Sequence, residues 1–304
     1  MAEQGKPVER DLLSRFAAVP LVRLVRVRQW AKNVLIFIPM LLSHKLADPA
    51  MWPPAVTAFF AFSFCASALY IWNDLLDIQG DRAHPRKRRR PIASGEVSVP
   101  AGMLTMLALL AASIALSASL PSATWALLLT YTGGSLCYSA LLKSKAVIDV
   151  VCLSGFYTLR MFYGGAATGI AVSVWTMAFA VFLFLSLALI KRLTELRNTK
   201  ARKLLARRAY RSEDLPILAA MAAAAGYLSA LVLGLYIQSA EVQLLYAHPR
   251  YLWLMMPALV YWISRALLLA NRGEMDDDPV LYALRDRASH AVAVCCAAAI
   301  YLAT

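Results

Sequence analysis

Asn73, Asp74, Asp77 and Asp81 fall within the nine residues "NDLLDIQGD". On a helix the steps from Asp74 to Asp77 and from Asn73 to Asp77 are three and four residues, and Asp77 to Asp81 is four, so all four side chains project from one stripe. Like charges at that spacing repel. A divalent cation neutralises them, and hard oxygen donors around a site open to phosphate are the usual Mg2+ arrangement. The acids are followed at once by "HPRKRRRP", His84 to Pro91, with five consecutive cations between two prolines that interrupt helix and shape a loop. Acids that hold a metal and cations that hold oxygens are together what a diphosphate needs. For one acid alone, a solvated helix end is the simpler reading. Three at the foot of an apolar segment are costly unless they are used.

The elements that must position these groups are apolar. Of 304 residues, 60% are hydrophobic and only 16% are charged, against about 25% in soluble domains, so the chain reads as an all-α integral membrane protein. Segments of about twenty apolar residues give nine expected crossings: 30–47, 53–74, 99–118, 123–142, 147–168, 173–190, 214–238, 250–270 and 286–303. Alternate connections then place 28 of the 31 Lys and Arg on one side, against Lys45 and Arg250 on the other, with Arg160 inside the fifth crossing. Basic residues are retained on the cytoplasmic side, so the N-terminus and the acidic motif are expected to face the cytoplasm, in the inner (plasma) membrane. The first 28 residues have no continuous apolar run and no small-residue cleavage site, and are expected to form a cytoplasmic segment ahead of a membrane domain over 29–304.

The net charge of +13 gathers on that face and suits anionic membrane lipids as partners. It does not suit nucleic acid, because the basic segments have no fold of their own. The five cysteines lie in apolar segments without metal-ligand spacing. His84 and His290 lack partners at metal-binding spacing. "NRGEMDDDPV", Asn271 to Val280, reads as an ordinary connection. Small-residue stretches such as "AAMAAAAG" permit close helix packing, within the chain or in a homo-oligomer.

"NDLLDIQGDRAHPRKRRRPIASGEVS" resembles the first aspartate motif and following loop of the UbiA superfamily of intramembrane transferases. "YSALLKSKAVIDVVCLSGFYTLRMFYGGAATG", Tyr138 to Gly169, extends the similarity. The resemblance implies nine transmembrane helices around a central cavity open to the cytoplasm. Typical prenyltransferases of the superfamily carry a second aspartate motif after the sixth helix. This chain has "LALIKRLTELRN", Leu187 to Asn198, in that place, with Lys191, Arg192 and Glu195 instead of acids. Together with "VRQWAKNVLIFIPML" and "ALRDR", this is similar to the decaprenyl-phosphate phosphoribosyltransferase branch. The implied donor is 5-phosphoribosyl 1-diphosphate, the implied acceptor a polyprenyl phosphate, and the implied cofactor Mg2+.

Asp74 and Asp77 are the expected catalytic metal ligands, with Asn73 and Asp81 in support. Lys87 and Arg90 are candidates for the diphosphate. The resemblance places Lys143, Tyr157 and Arg160 near the cavity, although Arg160 could instead pair with Asp149. It places Lys191, Arg192 and Glu195 around the ribose phosphate or hydroxyls. Arg28 and Lys32, four apart, could hold the lipid phosphate or reach to the interface. The competing readings are a UbiA-type prenyltransferase with a prenyl diphosphate donor and an aromatic acceptor, and a membrane transporter. Charge gathered at one face disfavours transport, which uses midmembrane sites formed by broken helices.

Overall fold

The computed structural model describes residues 20–84, 87–197, 210–275 and 278–304, and all regular structure among them is helical. The chain divides into two compact units, one running to Ser139 and including Met161–Ile170, the other made of Ala140–Arg160 and Ala171–Thr304.

The Trp52–Leu76 helix is the axis of the first unit. Pro53 and Pro54 stand in its first turn, where backbone N–H groups need no intrahelical partner. Ala55, Ala58, Ala61 and Ala68 are buried along it, and small residues let a neighbour approach closely. Ser113 of the Val99–Ser117 helix accordingly donates to the Ala61 carbonyl at 2.7 Å. Next to the acidic turn, Leu24, Ala68, Ile71, Ile92, Val97 and Met106 form a closed apolar core. That core ties the short helices Pro20–Val25 and Pro91–Ser94 to the axis. The described part of the N-terminal segment therefore packs into this unit through Leu24. Residues 1–19 lie outside the described ones.

The first expected crossing, 30–47, is not one helix. A 3-10 segment, Val27–Phe37, is followed by a short α-helix, Ile38–Leu42, and then by a turn with His44 at φ 58°. Two features break it. Pro39 has no N–H to give to an i−4 carbonyl, and the segment is held sideways by polar bonds to the axial helix. Asn33 Nδ2 donates to Ser63 Oγ at 2.8 Å, and Trp30 Nε1 to Ser67 Oγ at 2.9 Å. Behind it the Ile148–Thr168 helix comes so near that a Cβ on Gly164 would overlap the Ile36 carbonyl. Only glycine fits there.

In the second unit the Val174–Arg197 helix packs on Leu215–Ile237, with Ser186 Oγ donating to the Ala222 carbonyl at 2.7 Å. The Met255–Arg272 helix meets Arg287–Ala303 through a bond from Trp262 Nε1 to Ser289 Oγ (2.9 Å) and through Arg265, which grips the helix-capping Asp286.

Among the described residues, five helices are long and apolar enough to cross a bilayer: Pro49–Leu76, Val99–Ser117, Val174–Arg197, Ser212–Ile237 and Pro249–Arg272. They match five of the nine expected crossings. Ser122–Ala140 and Ile148–Thr168 are helical where two more were expected but carry more polar side chains, including Asp149 and Arg160 in the latter. Arg287–Ala303 is apolar and only 17 residues long.

Candidate active site

The acidic motif closes the axial helix of the first unit. The helix ends at Leu76, Asp77 forms a turn, and a short helix, Ile78–Arg82, follows. Backbone bonds from Asp77 N to the Asn73 carbonyl and from Asp81 N to the Asp77 carbonyl continue through the turn. The helical spacing therefore survives, and Asp74 and Asp81, two turns apart, face the same way. Both are buried, while Asn73 and Asp77 are half-buried.

Cations gather on the buried pair. Arg26 Nη2 donates to both oxygens of Asp74, at 2.5 and 2.7 Å. Arg90 Nη1 lies 2.9 Å from Asp74 Oδ1 and 2.6 Å from Asp81 Oδ2. Lys87 Nζ stands 3.9 Å from Asp81. Two carboxylates thus converge on one cationic nitrogen, and hard oxygen donors meeting at one positive centre are suited to Mg2+ in type and direction. In this arrangement the arginines hold that place, and no group of three acidic, His or Cys side chains is close enough for a metal among the described residues.

Of the basic loop, Lys87 and Arg90 turn toward the acids while the side chains of Arg88 and Arg89 are exposed, and Arg86 lies outside the described residues. Arg23 anchors the loop from the other side, donating to the Arg89 carbonyl at 2.7 Å and to Glu96 at 2.7 Å. Arg28 is exposed and Lys32 is buried beside the axial helix. The second arginine that reaches Asp74, beside Arg90, is Arg26, which sequence reasoning passed over. "VRLVRVRQW" offers three arginines, and only the left-handed turn at Arg26, φ 57°, decides which one swings inward.

A second charged cluster lies within the other unit. Arg192, expected beside a ribose phosphate, is instead turned into the protein. Its Nε donates to Asp149 Oδ2 at 2.6 Å and its Nη1 to Glu195 Oε2 at 2.6 Å. Tyr210 donates its hydroxyl to the other Asp149 oxygen, also at 2.6 Å. Asp149 is fully enclosed and Arg192 is 1% exposed. Burial first, and then the hydrogen bond to Asp149, raises the Tyr210 phenol above its ordinary value, so it stays a donor. The alternative pairing of Arg160 with Asp149 does not occur: Arg160 bonds the Phe156 carbonyl and lies 5.5 Å from the centre of the Tyr157 ring. Tyr157 in turn stacks on Phe184 at 5.1 Å.

Lys191 reaches Asp278 at 3.5 Å, and Asp278 also caps the Pro279–Ala283 helix. Asp276 and Asp277 of the acidic connection lie outside the described residues. Lys143 is exposed on the short 3-10 turn Leu142–Ser144.

Known proteins are similar to this chain in sequence and in fold. Residues 34–289 match the UbiA prenyltransferase family. The chain is 36% identical to an uncharacterized protein, y4nM, of Sinorhizobium fredii, over 92% of its own length and 55% of that protein's, so it spans about half of that relative. It is 35% identical to the nodulation protein NoeC of Azorhizobium caulinodans, covering 87% of this chain and 86% of NoeC. It is also 35% identical to the decaprenyl-phosphate phosphoribosyltransferase of Mycolicibacterium smegmatis, over 64% of this chain and 62% of that enzyme. Its fold is similar to that of a UbiA homolog from Archaeoglobus fulgidus solved with GPP and Mg2+, with a TM-score of 0.70 at 18% identity over 93% of this chain and 99% of the other. With the match running through both units, the chain belongs to the UbiA prenyltransferase family of membrane transferases.

Proposed function

We propose that this protein transfers the 5-phosphoribosyl group of 5-phosphoribosyl 1-diphosphate to a polyprenyl phosphate, releasing pyrophosphate, at the cytoplasmic face of the membrane. One observation carries the reading: three cations, Arg26, Lys87 and Arg90, surround two buried acids, and the Leu187–Asn198 sequence has Lys191 rather than a second acidic motif. A donor with an additional phosphate calls for cations rather than a second acidic cage. The likeness to decaprenyl-phosphate phosphoribosyltransferases supports the same donor.

Once the arginines release the acids, Asp74 and Asp77, with Asn73 and Asp81 in support, would hold Mg2+, and the ion would offset the charge of the departing diphosphate. The chain's own cations do the rest. Arg26 and Arg90, now spent on Asp74 and Asp81, turn to the phosphate oxygens when a donor arrives, and Lys87 follows from the loop. The bond from ribose C1 to the diphosphate oxygen breaks, the electron pair leaves with pyrophosphate, and an oxygen of the lipid phosphate bonds to C1. That lipid phosphate is already an anion, so no strong general base is required. Positioning and electrostatics carry the rate.

The test is membranes containing the protein, supplied with radiolabelled 5-phosphoribosyl 1-diphosphate, polyprenyl phosphate and Mg2+. A butanol-extractable labelled lipid that disappears with a chelator is the expected result. No label from that donor, with product instead from a prenyl diphosphate and an aromatic acceptor, would assign the chain to the other chemistry of its family.

A further inference from the structure

The connection from the Ser122–Ala140 helix to Ile148–Thr168 contains a backbone feature that its sequence does not favour. Val147 has φ 66°, and Ile148 N donates to the Ala146 carbonyl at 2.8 Å, closing a tight three-residue turn around it. Turns of that hand are rare and strained, and a β-branched residue is the least suited to them. Such outliers persist only where their surroundings over-determine them.

One side chain in those surroundings bonds the strained residue directly. Tyr210 Oη accepts from Val147 N at 2.8 Å and donates to Asp149 Oδ1 at 2.6 Å, so it satisfies the strained residue's amide and the buried carboxylate together. Asp149 is in turn fixed by Arg192. Lys143 and Lys145 of this connection are exposed. A lysine is a mobile point charge, and its use to an anion depends on the backbone that carries it.

We propose that Tyr210 is a positioning residue that holds the Lys143–Val147 turn in its strained form, so that Lys143 and Lys145 are presented to a phosphate-bearing ligand. This rests on the reading of the chain as an enzyme of phosphorylated substrates. No part of it requires Tyr210 to touch that ligand.

The experiment uses the full chain in detergent and inorganic pyrophosphate with Mg2+ as the probe, followed by titration calorimetry. Lys143→Gln measures how much of the binding the turn supplies. Tyr210→Phe, which removes only the hydroxyl, should weaken binding by about tenfold, the order of a lost buried hydrogen bond together with a relaxed turn. Lys143→Gln added to it should cost nothing more. The decisive variant is Tyr210→Phe with Val147→Gly: glycine adopts positive φ freely, so the turn no longer needs its clamp and affinity should return to within about threefold of wild type.

A purely structural role for Tyr210 would show as lower thermal stability with no rescue of affinity by the glycine, and that result overturns the proposal. So does an unchanged affinity in Tyr210→Phe, or no effect of Lys143→Gln. Turnover of 5-phosphoribosyl 1-diphosphate by the wild type is measured in parallel. Pyrophosphate binding that follows the expected pattern without turnover would defeat the functional reading and leave the clamp standing.

Discussion

In the first unit Asp74 and Asp81 are 3% exposed, yet the arginines that neutralise them, Arg26 and Arg90, keep 24% and 28% of their side-chain surface in contact with solvent. In the second unit both members of the central pair are sealed, with Arg192 at 1% and Asp149 at 0%. The residue types are the same and the energetic consequences differ. A guanidinium with a quarter of its surface open can leave a carboxylate for another anion at modest cost, provided a metal ion takes over the carboxylate it gives up. One that is wholly enclosed cannot leave, since the carboxylate behind it would be an uncompensated buried charge. The first cluster is therefore built for exchange, and the second fixes the backbone around it.

That contrast is most exposed to test at Asp74. Asp74→Asn keeps the shape and removes the charge on which Arg26 and Arg90 converge. We expect phosphoribosyl transfer to fall by about 10³-fold, the scale of losing a principal electrostatic group, while the variant still folds and elutes as wild type. An unchanged rate in well-folded protein would remove the first cluster from the chemistry. The converse substitution is Arg192→Met. It strands Asp149 and Glu195 and should destabilise the fold by about 3–5 kcal/mol, read as a large drop in the unfolding midpoint in detergent, and adding Asp149→Asn should recover part of it. If Arg192→Met instead melts like the wild type and loses only donor affinity, Arg192 is a ligand contact and the two clusters are alike.

Arg26→Gln sharpens the comparison with a smaller effect. The KM for the diphosphate donor should rise about tenfold through the lost charge-assisted bonds, with kcat reduced less and unfolding within about 1 kcal/mol of wild type, as expected for a partly exposed ion pair. Arg28→Gln, whose side chain is exposed, serves as the control and should change neither.

The legible part of this molecule was the part written in local order. Consecutive apolar residues marked the five helices that are long enough to cross a bilayer, and the seven-residue step from Asp74 to Asp81 already put that pair on one helical face. Pairing across long separations was not legible. Nothing near Arg192 says that it meets Asp149, 43 residues away, or that Tyr210 bonds that same carboxylate from 61 residues away. Arg26 was hidden for a different reason: three arginines stand within six residues, Arg23, Arg26 and Arg28, and a backbone turn, not a side-chain type, chose among them. The break in the first expected crossing had a visible cause in Pro39, but its other cause, the bonds from Trp30 and Asn33 to the axial helix, exists only once the helices have packed.

The smallest effect concerns Tyr210, whose phenol is raised by burial first and then by its bond to Asp149, with Arg192 acting in the opposite direction. A group whose folded pKa lies above its unfolded one contributes its full stability below the unfolded value, about 10 for tyrosine. That contribution is lost as pH climbs past it, because the unfolded chain then releases a proton that the folded chain keeps. The difference in unfolding free energy between wild type and Tyr210→Phe should accordingly stay flat from pH 7 to about 9.5 and narrow above about pH 10. Measuring both proteins cancels the lysines that titrate in the same range. A difference that instead changed between pH 6 and 8 would mean that some other group, and not the phenol, holds Val147 in its turn.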